Sequence, residues 1–225
     1  MATSYKLNPP EIPAKPRLVS RRRPRRAALA LKRVLDLVGA GVGLLVTTPL
    51  FPIIALAVRI DSRGPIFFRP RIVGRGGREF LAYKFRSMHA DAFERLLNDK
   101  DLLAQYKENL KLFDDPRVTR VGRILRRTSL DELPQLINVL RGEMSLVGPR
   151  MLAELELEKF GENRSKILSV RPGMAGLWVA SGRQTLAFER RLELELEYVE
   201  NWSLGLDAKC FFKTLWIAIR MVGAH

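Results

Sequence analysis

The sequence predicts an α+β fold that is predominantly α-helical, built around a re-entrant membrane helix, a small β-hairpin and interfacial amphipathic helices. Three observations predict it. Residues 34–58 form an apolar run interrupted by proline. Residues 61–88 alternate short apolar stretches with glycines. Leu133, Leu136, Ile137 and Leu140 recur at i, i+3, i+4 and i+7, the period of a helix with one buried face.

Each element follows from its composition. Residues 1–26 hold Pro9, Pro10, Pro13 and Pro16 without apolar periodicity and read as a disordered basic tail. Arg21-Arg22-Arg23-Pro24-Arg25-Arg26 ends that tail, and Lys32-Arg33 follows it. The chain carries a net charge of +15, which implies a polyanionic partner: anionic membrane lipid, nucleic acid or a phosphorylated substrate. One cysteine, Cys210, excludes an internal disulfide and any multi-cysteine metal site. Two histidines are too few for a His-based one.

Residues 27–60 are the membrane candidate. Val34 to Val58 carries one charge, Asp36, and is long enough to span a bilayer as a straight helix. Pro49 and Pro52 each remove a backbone donor and disfavour a straight helix. Thr47 and Thr48 bring hydroxyls that satisfy freed carbonyls. Both flanks are basic, which places both ends on the cytoplasmic side. A helix broken at Thr48-Pro49 that leaves by the face it entered accommodates both facts. A single span and a soluble core helix are the alternatives. Gly39, Gly41 and Gly43 follow no strand and read as close-packing residues, not a nucleotide fingerprint.

Ile66-Phe67-Phe68 and Phe80 to Tyr83 flank Gly74, Gly76 and Gly77, the pattern of a hairpin with a glycine-rich turn. Gly74 to Arg78 reads either as a phosphate cradle or as a plain tight turn. Residues 89–112 are helical in composition, ended by Asp114-Asp115-Pro116. Arg120, Arg123 and Arg127 then share one helical face. Residues 186–202 read as a further helix, with Glu193, Glu195 and Glu197 solvated rather than metal-binding. Residues 206–223 mix Phe, Leu, Trp and Ile with Lys209, Lys213 and Arg220, as in an interfacial amphipathic helix; a core-packing helix is the alternative.

The stretch RTSLDELPQLINVLRGEMSLVGPR, residues 127–150, carries the chemistry. Gly142 stops its helix. The start is either Ser129 as N-cap, with Glu132 closing a capping box, or Asp131 as N-cap, with Pro134 in the first turn. Both options put Asp131 at a helix N-terminus, where amides and the dipole favour an anion. An aspartate in that field is expected to be ionised and able to bind Mg²⁺ or attack phosphorus. Glu132 can bind or move a proton. On residue type alone, both also serve as ordinary helix caps.

The same stretch resembles the signature of the bacterial sugar transferases, the monotopic phosphoglycosyl transferases. Four other blocks match in order. LKRVLDLVGAGVGLLVTTPLFPIIALAVRI resembles the family's re-entrant helix, with Thr48-Pro49 at its break. GRGGREFLAYKFRSM, RPGMAGLWVASGR and YVENWSLGLDAKCFFKTL resemble the remaining blocks. The resemblance covers residues 30–220, and it is closest to the short exopolysaccharide-priming galactosyl- and glucosyl-phosphate transferases. It implies that Asp131 attacks the β-phosphate of a UDP-sugar, releasing UMP. Undecaprenyl or another polyprenyl phosphate then displaces the sugar phosphate from Asp131. Mg²⁺ would sit at Asp131, and Glu132 would assist proton transfer. Lys84, Arg86, Arg126 and Arg150 would contact phosphates. Residues 61–225 would be a catalytic domain on the cytoplasmic face of the bacterial inner membrane.

Some positions depart from the family pattern. Met151 replaces the proline that usually follows Gly-Pro-Arg, which leaves open what makes that loop rigid. Ile72 stands where an arginine is usual. A non-catalytic basic membrane scaffold is the competing reading. A nucleic-acid binder is disfavoured, because the chain carries no recognition motif and such a role gives the apolar segment no purpose. Pairing into a homodimer through residues 34–58 or the C-terminus stays open, as does the identity of the sugar.

Overall fold

The computed structural model describes residues 26–109, 112, 115–181 and 188–220. The expected N-terminal tail lies outside the described residues, apart from Arg26. Two helices open the chain, α1 (Arg26–Thr47) and α2 (Leu50–Asp61), bent by 63° at their junction. No single described helix is long and apolar enough to cross a membrane. The bend follows from the sequence. Pro49 and Pro52 cannot donate backbone hydrogen bonds. Thr47 Oγ1 donates to the Gly43 carbonyl at 2.7 Å, and Thr48 Oγ1 to that of Leu44 at 2.6 Å. Both are i−4 carbonyls, and that of Leu44 also accepts from the Thr48 amide at 2.8 Å, so the hydroxyls reinforce the last turn of α1 rather than fill the Leu45 carbonyl that Pro49 leaves open.

Helix α1 is apolar outward and polar inward. Leu45, Val46 and Val38 are exposed, while Asp36 is buried. Asp36 accepts from the Ser145 hydroxyl and the Leu146 amide, both at 2.9 Å. Lys32 donates to Asp207 at 2.6 Å and to the Val147 carbonyl at 2.8 Å. Arg33 donates to the carbonyls of Val139 and Leu140. Gly39 lets Leu146 approach closely: a Cβ there would meet Leu146 Cδ1 at 2.5 Å, and the leucine would have to shift. The membrane candidate is therefore clamped to the site-bearing segments by charge and by close approach.

The hairpin forms in two rungs. β1 (Phe67–Phe68) pairs antiparallel with β4 (Lys84–Phe85), and β2 (Arg71–Val73) with β3 (Glu79–Leu81). Its turn uses Gly76 and Gly77 at φ 70° and 79°, conformations that side chains disfavour. The Gly74, Gly76 and Gly77 amides donate to the carbonyls of Arg78, Leu168 and Gly74. The turn is thus closed by its own backbone bonds, and the phosphate-cradle reading finds no free amides at those three positions.

Helices α3 (Ala92–Asn98) and α4 (Lys100–Asn109) divide the single helix expected over 89–112. The break is at Asp99, whose carboxylate accepts from the amides of Asp101 and Leu102. Helix α5 (Arg120–Thr128) starts on a Thr119 cap and ends at Ser129 in the left-handed region. A 3-10 stretch, Leu130–Gln135, follows directly and leads into α6 (Leu136–Arg141), stopped by Gly142.

This corrects the expected helix start. Ser129 takes no capping hydrogen bond, and the capping box does not form. Its positive φ serves instead to turn the chain out of α5, so Ser129 lacks the extended geometry of an N-cap. Asp131 consequently lies in the first turn of a 3-10 segment, not at the end of a long α-helix.

β5 (Ser145–Val147) pairs parallel with β6 (Gly173–Ala175). Between them run α7 (Glu154–Glu158) and α8 (Arg164–Ile167); after them come α9 (Leu177–Ala180), α10 (Phe188–Glu200) and α11 (Leu204–Arg220). The largest buried cluster joins Ala40 of α1 to Ile72, Phe80, Leu136, Val139, Met144 and Met151. Ile72 is core, which accounts for an apolar residue at that hairpin position.

Candidate active site

Three segments meet at Asp131: the 3-10 stretch, strand β4 and the C-terminal half of α5. Asp131 is 8% exposed. Glu132 is half-buried, and Lys84 Nζ donates to its Oε1 at 2.8 Å. Arg126 lies close enough for its charge to act on Asp131, and its Nε donates to the Ser87 hydroxyl at 2.9 Å.

The electrostatics differ from the sequence expectation. Burial first, and the Glu132 charge second, raise the Asp131 carboxyl to about 7 against the opposing pull of Lys84 and Arg126. A six-residue 3-10 segment supplies too weak a dipole to overcome that burial. Asp131 is therefore poised between its acid and its carboxylate near neutral pH, not fully ionised. Burial likewise lowers the Arg126 guanidinium, with Asp131 resisting.

Arg86 takes a different part from the one expected. It is 5% exposed, and its two terminal nitrogens donate to the carbonyls of Arg63 and Ser62, each at 2.7 Å. Those bonds clasp the end of α2 to the hairpin. Arg150 is exposed, with its guanidinium 4.9 Å from the centre of the Trp178 ring. Its amide donates to Glu195 Oε2 at 3.0 Å. The Gly173 amide donates to the Pro149 carbonyl at 2.7 Å. These bonds fix the loop without the proline that Met151 replaces; the Met151 side chain goes into the core.

A small cleft opens beside Glu132, lined also by Gln135, Arg150, Trp178 and Glu195. Glycines shape it, because a Cβ on Gly173 would meet the Gly148 amide nitrogen at 2.0 Å. Sequence reasoning missed two of its residues. Glu195 is 4% exposed, contrary to the solvated face expected for it. The signal was present: Leu194 and Tyr198 are inward on α10, and Glu195 shares a helical face with Tyr198 and Val199, three and four residues on. Gln135 is fully buried, one helical turn before the equally buried Asn138.

Among the described residues, no three His, Cys, Asp or Glu side chains cluster to hold a metal. Mg²⁺ needs no such cage, since it is commonly held by one or two carboxylates together with substrate phosphates. Asp131 beside Glu132, one of them destabilised as an anion by burial, is a donor set that fits that mode.

Together these features define a small helical domain with a buried aspartate and a half-buried glutamate among cations, beside a bent apolar helix. The sequence profile described as bacterial sugar transferase matches residues 27–221, and the chain belongs to that family. It is 42% identical over 188 residues to the exopolysaccharide production protein ExoY of Rhizobium meliloti, covering 82% of this chain and 83% of that one. It is 42% identical to the undecaprenyl-phosphate galactose phosphotransferase of Salmonella typhimurium, over 89% of this chain and 43% of the relative. The UDP-glucose:undecaprenyl-phosphate glucose-1-phosphate transferase of Escherichia coli is 41% identical, over 83% and 39%. The chain spans less than half the length of these last two relatives.

Proposed function

We propose that this chain transfers a hexose-1-phosphate from a UDP-sugar to undecaprenyl or a related polyprenyl phosphate, as an early step of exopolysaccharide or other glycan assembly. The observation that carries the reading is the buried Asp131 with the half-buried Glu132 beside it, flanked by Lys84 and Arg126, in a chain whose relatives bear the names of undecaprenyl-phosphate sugar transferases.

In this reading a carboxylate oxygen of Asp131 attacks the β-phosphorus of the donor. The bond from that phosphorus to the bridging oxygen breaks, and UMP leaves. An oxygen of polyprenyl phosphate then attacks the same phosphorus and expels the Asp131 carboxylate. Glu132 takes any proton carried by the acceptor phosphate. Lys84 and Arg126 balance the charge, which is most of what phosphoryl transfer asks of a protein. Asp131, with the diphosphate, would hold Mg²⁺. Bound there, the ion would neutralise diphosphate charge.

Membrane placement rests on surface chemistry. Leu45, Val46, Ile53, Leu56 and Ile60 of α1 and α2 are each more than 60% exposed, and Phe212 and Trp216 of α11 are also exposed. Such an area is a liability in water and an asset in lipid. With basic flanks on both sides, α1–α2 enters and leaves by the cytoplasmic face of the inner membrane, contacting anionic lipid. The test is UMP release by the purified chain, in detergent with polyprenyl phosphate, across a set of UDP-sugars. A hexose phosphate found on the peptide bearing Asp131 supports the covalent step; turnover without it sinks that step.

A further inference from the structure

Buried polar groups are nearly always paired, and an unpaired one is costly. The cleft beside Glu132 collects several that the protein leaves open. Gln135 is 0% exposed, and neither its Oε1 nor its Nε2 has a hydrogen-bond partner. The contrast with Asn138, three residues on and equally buried, is direct. Asn138 accepts from the Tyr83 amide and donates to the Leu81 carbonyl and to Glu143. Trp178, 6% exposed, also has an unpartnered Nε1. Glu195 lines the same cleft and uses one oxygen on the Arg150 amide.

These groups specify the ligand's chemistry. Gln135 offers a donor and an acceptor, Trp178 a donor, and Glu195 a carboxyl. Arg150 also lines the cleft, but its guanidinium lies over the Trp178 ring; the buried Glu195 carboxyl disfavours a phosphate, and Lys84 and Arg126 act on Asp131. The occupant is therefore neutral and rich in both donors and acceptors, as sugar hydroxyls are. Position agrees. Glu132 lines the cleft and adjoins Asp131 in sequence. In a donor bound to Asp131 the sugar is one bridging oxygen from the reacting phosphorus, whereas the base lies beyond a second phosphate and a ribose. Burial also raises the Glu195 carboxyl to about 7, so it can donate as well as accept near neutral pH.

We propose that this cleft is the hexosyl pocket of the donor, in which Gln135 and Glu195 read the sugar hydroxyls and the Trp178 N–H donates to one of them. This rests on the transferase reading above. It makes the pocket serve both displacements, because the sugar stays on the phosphorus while UMP departs.

The experiment uses the full chain in detergent and measures UMP release from UDP-glucose, UDP-galactose and their monodeoxy analogues. Gln135→Met keeps the shape and removes the amide. Glu195→Gln keeps both shape and the oxygen that accepts from Arg150. In the wild type, loss of a hydroxyl that is read lowers kcat/KM by roughly 10- to 100-fold. In at least one variant that penalty shrinks to about 3-fold or less, while inhibition by UMP moves by less than about 2-fold. Weakened UMP inhibition with unchanged deoxy penalties makes the cleft a nucleotide site and overturns the proposal. Unchanged penalties and unchanged UMP inhibition in both variants reduce the residues to packing and overturn it too. A wild-type chain that releases UMP from no UDP-sugar fails at the earlier step, the transferase reading itself.

Discussion

Lys84 Nζ lies 2.8 Å from Glu132 Oε1, and this ion pair divides two adjacent carboxyls into one with a direct cation partner and one held up by burial. Asp131 is the second. Its carboxyl, raised to about 7, must lose its proton before it can attack phosphorus. The rate of UMP release in the first displacement should therefore rise about tenfold per pH unit below 7 and level off above it. Stopped-flow release over pH 5 to 9 reads this out. A flat profile would remove the titrating nucleophile.

The same pair predicts opposite shifts in two variants. Glu132 raises the Asp131 carboxyl and Lys84 lowers it. Glu132→Gln should move the midpoint of that burst to lower pH, and Lys84→Met to higher pH, each by about one unit. Steady turnover falls in both. Shifts of the same sign would mean that neither charge acts on Asp131 as the geometry implies.

Asp131→Asn should abolish UMP release and stabilise the fold at once. An acid whose carboxyl is raised in the folded state favours folding while protonated, so its ionisation works against folding as pH rises from about 4 to 7. The gain from asparagine is absent near pH 4 and full above pH 7, where it amounts to about 2–4 kcal/mol as an upper range. Thermal unfolding at pH 4.5 and pH 8 checks it. Equal effects at both values would contradict a raised Asp131.

Arg86→Ala should act on stability rather than on phosphate binding. Its two bonds to the Ser62 and Arg63 carbonyls join α2 to the hairpin, and their loss leaves two acceptors open, at about 2–4 kcal/mol. Arg86→Lys restores part of this, because one ammonium cannot reproduce the planar fork. The melting temperature should fall in that order. Unaltered melting with a weakened affinity for UMP would return Arg86 to the phosphates.

Local chemistry made some features legible and distance hid the rest. The break at Thr48-Pro49 was readable because a missing N–H and two nearby hydroxyls act within one turn. The glycine turn of the hairpin was readable for the same reason. Asp36 was visible only as a stray charge in an apolar helix. Its partner Ser145 is 109 positions away, and nothing local announces that contact. Asp131 stood out at its segment's start, yet its protonation was misjudged, because burial is a tertiary quantity that a helix-cap argument does not contain. Glu195 was concealed by the Leu-Glu alternation of α10, which resembles a solvated face until Leu194 and Tyr198 are used to set the inward direction.

The bend between α1 and α2 gives the last prediction. Pro49→Ala with Pro52→Ala restores two backbone donors at the junction. It allows one helix over residues 26–61, about 54 Å at 1.5 Å per residue, more than a hydrocarbon core of about 30 Å. In the wild type, a cysteine introduced near residue 10 should be shielded from a periplasmic thiol reagent, since both flanks stay on the cytoplasmic side. In the double variant the two ends can part, and a fraction of chains should become labelled from outside. Lys32 and Asp36 oppose this through their bonds to Asp207 and Ser145, so Asp36→Ala should increase that fraction. Labelling of the wild type from the periplasm would overturn the re-entrant reading. Absence of labelling in every variant would show that the flanking charges, not the prolines or the Asp36 bond, hold the hairpin in place.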